Sequence, residues 1–114
     1  MTPSRLPAVE VSDRHPDGSV RIVGVLGGSP LEPLPADAVD GFEGAAGETR
    51  LAAVPDGLVV LVGLGDEADA DGLRRAAGAA ARAVPAGRPA STALHRVGVD
   101  GAAEAVVVGY ALGS

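Results

Sequence analysis

The sequence of 114 residues contains no cysteine, no lysine and no tryptophan. The lack of cysteine excludes a disulfide framework, a thiolate zinc site and a cysteine nucleophile, and it fits a reducing compartment. The longest apolar run, over residues 58–64, is far too short to span a bilayer. The first residues also lack the charged and apolar regions of a signal peptide. We therefore expect a cytoplasmic protein without a membrane span.

Positive charge is scarce, and all of it comes from arginine. Nine arginines stand against fifteen acidic residues, which gives a formal net charge of −6 at pH 7. A negative field repels phosphate backbones. The two aromatic residues, Phe42 and Tyr110, are too few to form a platform for stacked bases. Nucleic-acid binding is therefore not expected.

The residues that are present indicate one α/β domain over 1–114. Apolar and β-branched runs predict strands over 8–11, 19–26, 48–54, 58–64 and 91–99. Helical spacing predicts helices over 35–42, 70–84 and from 100 or 101 onward, while residues 27–35 read as a loop. This order favours a mixed sheet flanked by helices.

The two longer helices have predicted inner faces. In the helix over 70–84 the apolar side consists of Leu73, Ala76, Ala77, Ala80 and Val84. Asp69 is the expected N-cap, and Pro85 with Gly87 ends the helix. In the last helix we expect the side that carries Val106, Val107 and Tyr110 to pack on the sheet.

A glycine pattern between a strand and a helix invites a dinucleotide-binding interpretation. Residues 63–68 fit G-x-G-x-x-A, which can hold a pyrophosphate on a helix N-terminus. Four acids around the start of the helix would repel that anion, although they suit the helix dipole; they are Asp66, Glu67, Asp69 and Asp71. We therefore interpret the glycines as a tight turn. A calcium loop starting at Glu67 would need a carboxylate at its twelfth position, where Gly78 stands.

The remaining candidates for chemistry have simpler structural explanations. His15 lies in a predicted turn and His95 in a predicted strand, and neither has a second histidine nearby. Ser91 and Thr92 lack the flanking glycines of a nucleophile elbow. The three helix arginines, Arg74, Arg75 and Arg82, are interpreted as a solvated face. We therefore predict no catalytic, cofactor-binding or metal-binding residue in this chain.

Four segments together resemble a known family. They are 41–49 (GFEGAAGET), 60–66 (VLVGLGD), 73–83 (LRRAAGAAARA) and 104–114 (EAVVVGYALGS). Their order and spacing are similar to the N-terminal domain of the leucyl (cytosol) aminopeptidases, over about residues 9–114. One departure is Ala45, where many members carry a lysine. The last segment resembles the helix that leads into the catalytic domain of that family, and no cap follows it.

This resemblance implies a three-layer α/β/α fold with a mixed central sheet, similar to macro domains. It also implies a hexameric parent enzyme that uses two divalent metals, zinc or manganese, to remove N-terminal residues from peptides. The metal ligands and the catalytic lysine and arginine of the family belong to its C-terminal domain, and we expect that domain to be absent here. No functional residue can therefore be transferred to this sequence, which has no lysine at all.

Two functional hypotheses follow. In the first, the chain is the non-catalytic N-terminal domain of such an aminopeptidase, acting as a structural or interaction module with a catalytic domain as its partner. In the second, it is a small-molecule module that binds a ligand of the ADP-ribose type, by analogy with macro domains. The loops around Gly27–Gly28 and Gly63–Gly65 are its only support in the sequence. DNA binding, as in some family members, is disfavoured by the net charge of −6.

Overall fold

A mixed sheet forms the centre of the fold in the computed structural model, which describes residues 9–11, 19–55, 57–85, 88–94 and 100–113. The strands are β1 (Val9–Val11), β2 (Val20–Leu26), β3 (Ser29–Pro30), β4 (Thr49–Val54), β5 (Gly57–Gly65) and β6 (Ala90–Thr92). The helices are α1 (Ala36–Val39), α2 (Ala70–Ala83) and α3 (Ala102–Gly113).

The strand order of the sheet is β1-β6-β2-β5-β4, and β3 pairs with the end of β2. The neighbours β1, β6, β2 and β5 run parallel, whereas β4 is antiparallel to β5. Parallel strands that are covered on both faces read as near-continuous apolar runs. This explains why β2 and β5 are the clearest strands in the sequence.

Each face of the sheet has its own apolar core. Alternate residues of β2 and β5, such as Ile22 and Val60, pack under α2 and α3 on one face. The intervening residues, such as Val23 and Leu61, pack with Phe42 on the other face, where α1 lies. The predicted α/β fold with a mixed sheet is therefore confirmed, and the arrangement is compatible with three α/β/α layers.

Helix α2 agrees with its prediction at both its start and its inner face. The Oδ1 atom of Asp69 accepts a hydrogen bond from the Gly72 amide at 2.6 Å, as expected of an N-cap. Leu73, Ala76, Ala77 and Ala80 are buried, and Val84 packs against the same core. No helix within the described ranges is long and apolar enough to cross a bilayer.

The predicted inner face of α3 was wrong in one position. Val106 and Tyr110 are buried, but Val107 is 47% exposed. The reason is that α3 packs closely along α2, with Gly109 and Gly113 against the backbone of that helix. This contact rotates α3 so that Ala102 and Ala105 join the buried side and Val107 leaves it.

Three other elements differ in extent from the sequence prediction, and the helix predicted over 35–42 covers only Ala36–Val39. The predicted loop over 27–35 contains the short strand β3, which pairs with Val25 and Leu26. The strand predicted over 91–99 is seen as β6, followed by the buried Leu94, and residues 95–99 lie outside the described part of the chain. The predicted turn that contains His15 also lies outside it.

The buried Tyr110 predicts a loss of stability at alkaline pH. Burial raises the pKa of its phenol above 10, because the ionised form loses its hydration. A pKa raised in the folded state contributes stability that is present below the unfolded pKa of 10 and disappears as pH rises through the folded pKa. The chain has no lysine or cysteine, so few other side chains change charge in this range.

Urea unfolding at about pH 9 and about pH 11.5 measures this loss directly. Because Tyr110 is the single tyrosine, the ultraviolet absorbance of tyrosinate follows its ionisation without interference. We expect the variant Tyr110→Phe to lose most of the alkaline dependence of stability. A native phenol that titrates at or below the unfolded pKa would contradict the prediction.

Candidate functional site

The glycine-rich segment 41–49, which carries the first part of the family resemblance, forms a closed loop between α1 and β4. Gly44 and Gly47 have positive φ values of 80° and 84°, which glycine adopts at little cost. The Oε1 atom of Glu48 accepts hydrogen bonds from the amides of Gly44 at 3.0 Å and Ala45 at 3.1 Å. The Glu48 carboxylate therefore stabilises the turn that begins at Gly44 by accepting hydrogen bonds from two of its amides.

This loop docks on the end of β5, at residues that carry the second part of the resemblance. The Gly63 amide donates to the Glu48 carbonyl at 2.7 Å, and the Gly47 amide donates to the Gly63 carbonyl at 3.0 Å. The Gly65 amide donates to the Gly44 carbonyl at 3.0 Å. Two segments that are separate in the sequence thus form one contact in space.

A third glycine segment joins at the same place. The Gly27 amide, directly after β2, donates to the Gly65 carbonyl at 2.8 Å. We call Gly27, Gly44, Gly63 and Gly65 the glycine junction. It lies at the carboxyl ends of the parallel strands β2 and β5, where open α/β sheets usually bind their ligands.

The hydrogen bonds of the glycine junction bear on both small-molecule hypotheses. A phosphate site at this edge needs free backbone amides and an open helix N-terminus. Here the amides of Gly27 and Gly65 donate to carbonyls of the same chain. At the start of α2, the Asp69 side chain holds the Gly72 amide. The geometry gives neither the dinucleotide nor the ADP-ribose hypothesis a specific observation in its favour.

The acids near α2 have structural partners or face solvent. Asp71 binds Arg74 at 3.1 Å and also binds Arg75, both within one turn of the helix. Asp66 and Glu67 are exposed. The described residues contain no group of three or more histidine and acidic side chains placed to hold a metal ion.

Ser91 and Thr92 are fully buried and bond within the sheet. The hydroxyl of Ser91 lies 3.0 Å from the hydroxyl of Ser19. Thr92 Oγ1 donates to the Ile22 carbonyl at 2.9 Å and accepts from the Leu94 amide at 3.1 Å. The contacts to Ser19 and Ile22 join β6 to β2 and to the residue before it. The bond from the Leu94 amide stabilises the turn that follows β6. His15 and His95 lie outside the described residues.

The arginines of α2 are exposed, but Arg50 has a role that the sequence did not indicate. Its guanidinium donates to the Asp40 carbonyl at 2.5 Å and to the Ala38 carbonyl at 3.4 Å. It also lies 5.5 Å from the centre of the Phe42 ring. Arg50 therefore fastens the end of α1 to β4, and no motif spacing could have predicted this contact.

Comparison with known proteins identifies a matching family. The sequence profile described as the cytosol aminopeptidase family, N-terminal domain, matches residues 38–114. It includes all four of the segments that resemble the family, whereas residues 9–37 lie outside the match. No curated protein and no solved structure matches the chain significantly. Since the profile covers about two thirds of the sequence, the chain belongs to the cytosol aminopeptidase family, whose N-terminal domain it carries.

Proposed function

We propose that this chain is a non-catalytic N-terminal domain of a metal-dependent leucyl aminopeptidase and acts there as a structural and interaction module. The observation that carries the proposal is the docking of loop 41–49 on the end of β5. The glycines and Glu48 that give the segment its family pattern are used to hold the loop and the sheet together. These residues therefore have a structural role that requires no bound substrate.

The two divalent metals that the resemblance implies do not suit the acids described in this chain. A two-metal hydrolase needs several carboxylates that converge on an open coordination site. Asp69 holds a helix amide, and Asp71 binds two arginines. Asp66 and Glu67 stand in an exposed turn. We therefore derive no catalytic step through a metal and assign the metals to a separate catalytic domain.

The partner that we propose is that catalytic domain, within a hexameric enzyme of the cytoplasm. A domain that supplies no reacting group can contribute to an enzyme by binding and positioning its neighbours. Helix α3, whose sequence resembles the connection to the catalytic domain, carries the exposed side chains Val107, Val108 and Leu112. Such apolar exposure is compatible with a covering partner.

The first test is an activity assay of the pure chain. We expect no hydrolysis of a leucyl chromogenic substrate above the blank, with or without added manganese or zinc, because no described carboxylates converge. A full-length cytosol aminopeptidase serves as the positive control under identical conditions. Metal-dependent turnover by this chain, surviving repurification, would overturn the non-catalytic assignment.

The second test addresses the interaction role. Isothermal titration of the chain with a cytosol aminopeptidase catalytic domain that lacks its own N-terminal domain should show saturable binding. The variant Leu112→Asp should weaken it, while Leu31→Asp, which alters an exposed leucine far from α3 in sequence, should not. Absence of binding at about 0.1 mM, where weak interfaces are still detected, would contradict the proposed partner.

A further inference from the structure

The outer side of β4 is an uncharged sheet edge. Within the described residues β4 pairs only with β5, so its other side faces no strand. Thr49, Leu51 and Ala53 are exposed, while the residues between them are half-buried. Leu51 is 47% exposed. Proteins commonly protect such edges with charged side chains, and this row has none.

The direction of the backbone groups follows from one hydrogen bond. The Gly63 amide donates to the Glu48 carbonyl, so this carbonyl is directed toward β5, although the second bond to Gly63 comes from the Gly47 amide and not from Glu48. Bonded pairs alternate along such a ladder, so every second residue from Arg50 onward directs its amide and carbonyl toward β5. The amides and carbonyls that point away from β5 belong to Thr49, Leu51 and Ala53.

The charged side chains next to this edge are bonded to their own chain. The Glu48 carboxylate accepts from the amides of Gly44 and Ala45. The Arg50 guanidinium donates to the Asp40 carbonyl, on the α1 side of the sheet. Both charged groups are therefore engaged in hydrogen bonds within their own chain.

We propose that β4 pairs with β4 of a second copy of this chain, antiparallel about a two-fold axis at Leu51. In this register Leu51 lies opposite its own copy, and Thr49 lies opposite Ala53 of the second copy. Each amide of the row that points away from β5 then faces a carbonyl of the second copy, and each such carbonyl faces an amide. Pro55, which has no amide hydrogen, lies beyond the paired residues.

The row fits a second copy because the two-fold pairing satisfies its outward hydrogen-bonding groups and places no charged side chain of the row opposite another. Two chains that each carry a net charge of −6 repel one another over most of their surfaces. A neutral edge is where that repulsion is weakest, and the two-fold axis brings two such edges together. In a closed two-fold contact the β4 edges of both copies are occupied, so no further chain can add through this edge.

The paired edge is short, so the dimer is weak. Contacts of well under about 1,200 Å² belong to transient complexes, and we expect a dissociation constant on the order of 0.1 mM. The pairing goes beyond the proposed role in an aminopeptidase and does not rest on it. The activity and titration tests above can fail or succeed without changing the outcome of the test below.

Sedimentation equilibrium of the full chain from about 10 µM to about 1 mM tests the pairing, because this range brackets the expected constant. The wild type should shift from the mass of one chain to that of two. Leu51→Lys should weaken association by at least about tenfold, since two lysines then face each other at the axis. The matched control Leu31→Lys adds the same charge at a leucine that is 42% exposed and lies outside β4, and it should associate like the wild type.

A second variant tests the hydrogen bonds themselves. Ala53→Pro removes an outward amide without removing a bond to β5, so the domain should keep its fold and lose association. In the wild type, the Leu51 amide should become protected from hydrogen exchange as the concentration rises, which requires no variant. A chain that stays monomeric at about 1 mM, or a dimer unaffected by both substitutions, would overturn the proposal.

Discussion

Gly109→Ala should destabilise the domain by a net ~2 kcal/mol or more, although alanine is the better helix former. A Cβ at Gly109 would lie 2.1 Å from the Arg74 carbonyl oxygen, which belongs to the backbone of α2. Backbone cannot rotate away as a side-chain tip can, so the two helices must move apart. Overpacking of this kind costs about 3 kcal/mol, whereas the gain in helix propensity is about 1 kcal/mol.

Gly78, in the same pair of helices, provides a control with a smaller expected effect. Gly78 lies on the same contact, but its added Cβ would be 3.3 Å from the Gly109 carbonyl oxygen. Gly78→Ala should therefore stay within about 1 kcal/mol of the wild type, because the propensity gain offsets a mild contact. Urea unfolding of both variants measures the difference. Equal free energies of unfolding for Gly109→Ala and the wild type would show that the helices are not packed this closely.

The same contact explains why the face of α2 could be predicted from the sequence and that of α3 could not. In α2 a single leucine and several alanines alternate with arginines, so the polar residues mark the outer side. In α3 valines occupy adjacent positions 106–108 and one acid, Glu104, marks the outside. The rotation of α3 about its own axis is set by the glycines that contact α2. The sequence pattern of α3 alone does not indicate that contact.

The family pattern was recognisable from the sequence, but the contact that it encodes was not. Segments 41–49 and 60–66 are separate in the sequence, and the glycines of the second predict only a tight turn before a helix. Their meeting depends on the hydrogen bonds of Gly63 with Gly47 and Glu48, across an antiparallel strand pair. The strands β4 and β5 are consecutive and joined by a short turn, so their pairing is local. Spacing along the chain does not specify that the loop before β4 folds back onto the end of β5.

Gly63→Ala tests whether this docking holds the domain together, and we expect a loss of about 3 kcal/mol in the free energy of unfolding. A Cβ at Gly63 would lie 2.0 Å from the Ala45 carbonyl oxygen and 2.5 Å from the carbonyl carbon of Gly44. Both contacts are to backbone, so the loop must leave the end of β5. It would then lose the hydrogen bonds to Gly63 and Gly65 that fix it.

Gly24→Ala is the matched control, because it adds the same methyl group to the neighbouring strand. Its Cβ would lie 2.6 Å from Leu94 Cδ2 and 3.0 Å from Leu64 Cδ1, the far ends of flexible side chains. These can change rotamer, so we expect a loss of about 1 kcal/mol. Urea unfolding of both variants at one pH gives the comparison. If Gly24→Ala proves the more damaging of the two, the loop is not what stabilises this end of the sheet, and the structural explanation of the family pattern is wrong.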